Sequence, residues 1–183
     1  MDVKLAIEKA EVSEEVVQLR KNGYFLNSAF AVLGPEADKV EKWSLTYFNK
    51  EKNDTVEIKA DANGVEKGVQ GKPANPTKKE LKLAQIKTGA DEALAKARGE
   101  FNKKTEPLAQ IIITLQNEEP AAWKFNFITK SMFIVKVEIS AETGEINQIK
   151  KDTLIKIEKG GAGAESSAGA EPATDAAGPQ KEN

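Results

Sequence analysis

Cysteine and histidine are both missing from this chain of 183 residues. Without cysteine there is no disulfide, no thiol catalysis and no thiolate-bound metal. Without histidine the chain lacks the commonest general acid or base near neutral pH and the commonest metal ligand in proteins. Together the two absences exclude Ser-His-Asp and Cys-His hydrolases, histidine-ligated zinc and ordinary haem.

The chain also lacks a strong electrostatic field of one sign and a long apolar segment. The net charge is −2, lysine and glutamate are interspersed, and Arg20 and Arg98 are the only arginines. Nucleic acids and anionic membranes are attracted by a single-sign field, and arginine is the side chain that reads guanine and phosphate in bidentate fashion. No stretch approaches the ~20 apolar residues of a membrane span. We therefore expect neither nucleic-acid binding nor a membrane span, and a soluble chain.

Two stretches are poor in residues that build a core. From Gly160 onward there is no residue bulkier than alanine that could anchor a hydrophobic core. This predicts a disordered Gly/Ala/Glu-rich tail over residues 160–183. In "VQGKPANPTKK", Pro73 and Pro76 deny backbone donors, which predicts a linker over residues 71–79. The breaks divide the chain into a first unit at residues 1–70 and a second at residues 80–159.

The second unit shows one helix signal followed by three strand signals. Thr88 and Asp91 have the spacing of a capping box, and Leu94, Ala97 and Phe101 recur at helical intervals. This pattern predicts a helix of about a dozen residues. After it, "LAQIIITLQ" is β-branched and short, and "WKFNFIT" and "MFIVKVEIS" place apolar residues at period two, so three strands are predicted.

The first unit repeats this order. Helix signals run over "VKLAIEKAEVSEEVVQLRKN" with a break near Ser13, and the strand signals are "FLNSAFAVLG", "WSLTYFN" and "TVEIKAD". The phrase "VEIKADANG" returns as "VEISAETGE", and Trp43 and Trp123, the only tryptophans, each open a second strand. We therefore predict an α+β fold with two tandem αβββ units, each an antiparallel β-meander packed on one helix. Each unit could close with a further strand, "ELKLAQI" at Glu80 or "TLIKIE" at Thr153, and the pattern leaves open whether the units share one sheet.

Two groups of residues raise the question of a site. Five carboxylates lie in or beside the repeated phrase and could do acid/base work, but alternation places them on polar strand faces and in turns, which is the favoured interpretation: Glu57, Asp61, Glu138, Glu142 and Glu145. Five aromatic residues could form a binding platform, but period two on a strand favours a sheet face covered by a helix: Trp43, Tyr47, Trp123, Phe125 and Phe127.

Other short patterns carry little chemistry. Asp61 and Asn63 in "DANG" match the first two positions of a calcium loop, but the remaining ligands are missing, so a tight turn with Gly64 at positive φ is predicted. Asn53 opens a glycosylation pattern that we take only as the mark of a surface loop. No glycine-rich phosphate loop follows a strand. We expect no catalytic, cofactor or metal site and no enzymatic activity, and the sequence does not identify the binding residues.

The order of these patterns resembles the PepSY domain, whose copies end in a strand, an acidic residue, a T-G turn and an apolar residue. The second unit carries the better match, at Ala93, Leu94, Ala97, Trp123, Phe127, Val135, Val137, Ile139, Glu142, Thr143, Gly144, Glu145 and Ile146. The first unit keeps Ala6, Ala10, Trp43, Tyr47, Val56, Ile58, Ala60, Asp61 and Gly64. The resemblance implies a non-catalytic α+β module of peptidase propeptides and of secreted or membrane-attached proteins, and an extracytoplasmic location if a signal segment precedes Met1.

Two functions are consistent with these observations. The first is a non-catalytic protein-binding module, including regulation or inhibition of a peptidase, acting through an exposed strand edge or sheet face. The alternative is a carrier of a small apolar ligand in a cleft between helix and sheet.

Overall fold

The structure is a computed structural model that describes residues 1–72, 79–103 and 106–153. Its helices are α1 (Val3–Glu11), α2 (Glu14–Lys21) and α3 (Ala90–Asn102), with a short 3₁₀ turn at Leu83–Gln85. The strands of the first half are β1 (Tyr24–Leu33), β2 (Trp43–Asn49), β3 (Asp54–Ala60) and β4 (Val65–Gly71). Those of the second half are β5 (Leu108–Asn117), β6 (Ala121–Thr129), β7 (Phe133–Ser140) and β8 (Ile146–Thr153).

The eight strands form one antiparallel sheet in the order β4-β3-β2-β1-β5-β6-β7-β8. The prediction of two tandem αβββ units, each a three-stranded meander on its own helix, is therefore wrong. Each half contributes four strands, and β1 joins β5 over six paired positions from Ser28↔Gln116 to Leu33↔Ile111. The six strands that alternation predicted are present, but they belong to one continuous sheet.

The distribution of charge explains why β1 and β5 meet in the middle. Neither strand contains a charged residue, whereas β4 carries Glu66 and Lys67, and β8 carries Lys150, Lys151 and Asp152. Charged side chains are common on edge strands, where they remain in contact with water. The uncharged strands are thus free to pair with each other, and the charged strands end at the two edges.

The helices all lie on one face of the sheet and share one apolar core with it. Helix α1 contacts β2 and β3, α2 contacts β1, and α3 contacts β6 and β7. Trp43 and Trp123 meet in this core with ring centroids 6.1 Å apart. Between them β1 presents only the small Ala29 and Ala31 on the same face, which leaves room for the indoles to touch across the two halves.

Local capping sets the ends of the helices. The Asp2 side chain accepts from Lys4 N and starts α1, and Ser13 Oγ accepts from Val16 N and starts α2, which confirms the predicted break near Ser13. The predicted capping box at Thr88 is wrong. Helix α3 begins after Gly89, and the Thr88 carbonyl instead accepts a hydrogen bond from Trp123 Nε1 at 3.1 Å.

The strand that closes each half follows directly after the repeated phrase. The prediction of a strand at "ELKLAQI" is wrong, because this segment forms a loop and the 3₁₀ turn. Most of the predicted linker, the predicted strand after Thr153 and the tail at residues 160–183 lie outside the described residues. Strands β4 and β8 escaped prediction because their side chains are mostly exposed and polar, so neither shows apolar alternation.

The two arginines both tie one half to the other. Arg98 on α3 donates to the carbonyls of Pro35, at 3.1 Å, and Ala37, at 2.6 Å, in the β1–β2 loop. Arg20 on α2 donates to Glu80 at 2.6 Å, in the segment that leads into the second half. A guanidinium presents several donors in a fixed plane, which suits it to such bridges.

Candidate functional site

The repeated phrase forms two turns that are held in the same way by a helix lysine. Lys9 on α1 donates to the Ala62 carbonyl at 3.3 Å, and Lys96 on α3 donates to the Gly144 carbonyl at 3.1 Å. Gly144 has φ +71°, where a side chain is strained, and a Cβ there would lie 2.9 Å from Thr88 Oγ1. The recurrence of the phrase therefore reflects how each helix is fastened to its sheet.

The five carboxylates do not come together. Glu57 accepts from Val69 N at 3.4 Å at the β4 edge, and Glu138 accepts from Asn147 beside β8 at 3.4 Å. Asp61 Oδ1 accepts from two backbone amides of its own turn. Glu142 binds Lys87 at 2.6 Å, and this hydrogen bond and the lysine charge lower the pKa of Glu142. Glu145 accepts from Thr143 Oγ1 within the second turn, so the five carboxylates have separate local partners and form no shared site.

The "DANG" segment is a turn of the kind that the sequence predicts. Asp61 N donates to the Gly64 carbonyl at 3.0 Å, and Gly64 has φ +157°. Among residues 1–72, 79–103 and 106–153 no group of three or more acidic side chains is placed to hold a metal ion. Within the same ranges, no helix has the length and apolar character needed to cross a membrane.

The five aromatic residues lie under the helices and not on a surface. Trp43, Trp123, Tyr47, Phe125 and Phe127 are all fully buried, which confirms the interpretation of a covered sheet face. Phe127 also stacks on Phe101 of α3 with centroids 4.9 Å apart. These aromatic side chains therefore belong to the core and do not form an exposed binding platform.

One polar network of the first half enters this core. The Tyr47 hydroxyl donates to Glu11 at 3.0 Å, and Arg20 binds Glu11 and Glu80 while lying 5.6 Å from the Tyr47 ring centre. Burial, together with the charge and hydrogen bond of Glu11, raises the pKa of Tyr47 above its ordinary value. Burial would lower the pKa of Arg20, but its hydrogen bonds to Glu11 and Glu80 raise it overall. The network is saturated with internal partners, which indicates a structural role.

The face of the sheet opposite the helices is covered by no described helix; we call it the open face. A row of directly paired residues crosses all eight strands on it: Glu66, Lys59, Ser44, Phe30, Thr114, Lys124, Glu138 and Gln148. Phe30 and Val32 are partly exposed near its centre, and charged side chains flank them on both sides. The open face is therefore mostly polar, with a small apolar centre.

The first edge of the sheet, β4, is irregular in its middle. Its pairing with β3 shifts register between Val56 and Ile58, which marks a bulge. Glu57 lies over Gly68, and its carboxylate accepts the Val69 amide, so one backbone donor of the edge is already used. Bulges and glycine interrupt an edge as a template for further pairing.

The opposite edge, β8, is regular over most of its length. After one shift near Ile139, six consecutive residues pair with β7, from Glu138↔Gln148 to Phe133↔Thr153. All residues of β8 are exposed, and no described strand pairs with its outer side. Along such a strand every second residue points its N–H and C=O away from the partner strand, which leaves about three donor–acceptor pairs open at this edge.

The side chains beside β8 differ between the two faces. On the open face, a groove of about 530 Å³ is lined by Lys124, Asn126, Lys136, Glu138, Gln148, Lys150 and Asp152. On the helix face, Ile146 and Ile149 are each 40% exposed, and α3 packs mainly on β6 and β7. The β8 edge thus offers open backbone groups, a polar groove on one face and apolar contacts on the other.

Comparison with known proteins does not identify the chain. No family model matches it, and neither does any curated protein. Among solved structures, the crystal structure of a Clostridium difficile 630 protein, provisionally named a lipoprotein, is similar with a TM-score of 0.47 and 11% identity. The alignment covers 75% of this chain and 89% of that protein. At this TM-score the likeness supports no conclusion, and the PepSY resemblance stays a prediction.

Proposed function

We propose that this protein is a non-catalytic protein-binding module that captures an extended segment of its partner at the β8 edge. The observation that carries the proposal is the run of six regularly paired, exposed residues at the end of the sheet, with no described strand beyond them. A segment that adds there gains main-chain hydrogen bonds from the edge and side-chain contacts on alternate faces.

The contrast between the two edges supports the choice of β8. At β4 the bulge and the Glu57–Val69 contact interrupt the line of backbone groups, and Gly68 and Gly71 weaken the strand. At β8 the line is continuous, and Ile149 offers apolar surface on the helix face. An added strand therefore finds a longer and better defined template at β8.

Peptidases are the partner class to test first, because the PepSY resemblance implies modules that restrain them. Many peptidases bind their substrates as extended segments, and an edge strand such as β8 is also extended. We expect the protein to slow at least one member of a peptidase panel, measured as the rate of cleavage of a fluorogenic substrate. If no peptidase is bound or slowed, the inhibitory form of the proposal is wrong, although capture of other partners is tested separately below.

The test of strand capture uses a displayed library of random ten-residue peptides, selected on the immobilised protein. Enriched peptides are synthesised, and their affinities are measured by fluorescence anisotropy. We compare Ile149→Pro with Lys150→Pro, because neighbouring residues alternate between donating to β7 and donating outward. Of this pair, the substitution at the outward donor should keep the melting temperature within a few degrees and weaken binding at least about tenfold.

The matched control is Val69→Pro on the β4 edge. The Val69 amide binds the Glu57 side chain in a bulge, where proline is tolerated. This variant should bind the peptides as the unaltered protein does. Should both β8 prolines unfold the chain, Ile149→Lys tests the same edge from an exposed side chain. An empty selection, or peptides whose binding survives every β8 variant, would contradict strand capture at β8.

A further inference from the structure

We infer that the β8 edge selects segments with an acidic side chain beside Lys150 on the open face and an apolar side chain beside Ile149 on the helix face. This inference rests on the proposed function and names the chemistry of its partner. Because successive residues of a strand point to opposite faces, the two preferences fall on neighbouring residues of the captured segment. The partner is thus an acidic, alternating segment of another protein.

The first argument is an uncompensated charge. Lys150 lies directly opposite Lys136 in the β7–β8 pairing, and like charges in that position repel. Asp152 binds Lys136 at 2.6 Å and so neutralises one of the two. Lys150 forms no ion pair with any residue in the described part of the chain. A carboxylate on an added strand would supply the missing partner.

The second argument comes from the helix face of the same strand. Lys151 lies on that face, but its ammonium group already binds Glu106 and lies 4.5 Å from the centre of the Phe133 ring. Hydrogen bonding from Lys151 lowers the pKa of Glu106, so this contact favours the carboxylate form of Glu106 and occupies the Lys151 side chain. What remains open on the helix face is the apolar surface of Ile149 and Ile146, each 40% exposed. The charge preference is therefore confined to the open face.

A second copy of this chain fits the edge less well than an acidic segment does. Two copies of β8 that pair antiparallel must match open face with open face, so residues of the same parity lie opposite each other. The two such registers with the greatest overlap of the regular residues place Lys150 opposite its own copy, or place Lys151 opposite its own copy and Lys150 opposite Asp152, a carboxylate that already binds Lys136. Lysine in such positions is a common guard against edge-to-edge association. This favours an acidic segment of a different protein.

Three synthetic peptides test the inference. Each has ten residues of alternating threonine and valine, and they differ only at one central threonine, replaced by glutamate, glutamine or lysine. Affinity for the full chain is measured by fluorescence anisotropy at low and high salt. We expect the glutamate peptide to bind about two- to fivefold more tightly than the glutamine peptide, and the lysine peptide to bind most weakly. The differences should shrink in high salt.

Two variants assign the preference to its residue. Lys150→Gln should bind the glutamate and glutamine peptides equally, whereas Lys124→Gln, whose lysine already binds Glu118, should keep the preference. Equal binding of all three peptides to the unaltered protein, or a preference that survives in Lys150→Gln, overturns the inference and leaves strand capture standing. Failure of all three peptides and of the library overturns both. Dimerisation through β8 in sedimentation experiments overturns the assignment of the partner.

Discussion

Trp43 and Trp123 perform the same task in the two halves of this protein, and so do Lys9 and Lys96. Each indole donates to the carbonyl just before the N-cap of its helix, Met1 at 2.9 Å in the first half and Thr88 at 3.1 Å in the second. Each lysine lies seven residues after its N-cap, Asp2 (9 − 2) or Gly89 (96 − 89), and donates to the turn after β3 or β7. The shared contacts are those that fasten a helix to its sheet.

The two halves differ in their helices, in one core position and in their outer strands. The first half divides its helix at Ser13 and has Tyr47 in a polar network, while the second has one helix and places Phe127 against Phe101. The first half ends in a bulged edge and the second in a regular one. The comparison teaches that the repeated residues secure the shared architecture, whereas the binding function that we propose depends on a feature of the second half.

The largest expected effect tests the shared part of the comparison. Trp43→Ala and Trp123→Ala should each lower the free energy of unfolding by about 3–5 kcal/mol, because each removes a fully buried indole and its hydrogen bond. Since the rings touch, the double variant should cost less than the sum. Denaturant unfolding measures both. If one tryptophan is dispensable while the other is not, the two halves do not share this design.

The two turn glycines are expected to differ. Gly144→Ala should cost about 1–3 kcal/mol, because φ is +71° and the new Cβ would press on Thr88. Gly64→Ala meets no atom within 4 Å and should cost less, since only its backbone conformation is unfavourable. Thermal unfolding of the two variants gives the comparison. Equal costs would mean that the second turn is not held tightly against α3.

Tyr47 should contribute to a loss of stability in alkali, as should Tyr24, whose pKa burial also raises. Burial and Glu11 raise the pKa of Tyr47 above the ordinary 10.0, so above pH 10 the unfolded chain releases a proton that the folded chain keeps. The stability contribution of this group is complete below pH 10 and is lost as the pH rises towards the folded pKa. By pH 11 the loss should be about 1 kcal/mol.

Tyr47→Phe turns this position into the equivalent of Phe127 and provides the control. It should flatten the decline in the free energy of unfolding between pH 9 and 11, measured by urea unfolding, although it lowers stability at pH 7 through loss of the Glu11 hydrogen bond. An unchanged alkaline slope in this variant would show that Tyr47 is not the group responsible.

The smallest effect concerns the two lysines. Lys9→Met and Lys96→Met should each cost at most about 1 kcal/mol, because the Lys9 contact is exposed and the Lys96 contact is only partly buried. Lys96 also pairs with Glu92, so its replacement should cost slightly more. Thermal unfolding at low and high salt measures the difference. A cost of several kcal/mol would show that the turns depend on these contacts far more than their exposure indicates.

Alternation in the sequence predicted the six inner strands and the breaks between them, because each presents buried apolar residues at period two. Alternation missed β4 and β8, because their side chains are mostly exposed and show no alternation of apolar and polar residues. Alternation also did not predict that the two halves share one sheet, because the pattern within a strand does not show which strand pairs with it. A usable signal was present, because β1, β2 and β5 contain no charged residue, which suits the centre of a sheet.

The helix start at Thr88 and the site itself depended on contacts distant in sequence. The Thr88 carbonyl is held by Trp123, and no local pattern shows that this replaces a capping box. The lysine of β8 without an ion pair among the described residues, Lys150, is evident only once β8 lies beside β7 with Lys136 opposite. In both cases the decisive partner lies on another strand, so the residues flanking the position do not reveal it.

Hydrogen–deuterium exchange, with and without the tightest peptide from the displayed library, tests the central claim most directly. Exchange slows where a backbone amide gains a hydrogen bond, so it separates the two edges in a single sample. We predict slower exchange in β8, Ile146–Thr153, and no change in β4, Val65–Gly71. Slower exchange in β4, or none in β8, would contradict capture of a partner strand at the β8 edge.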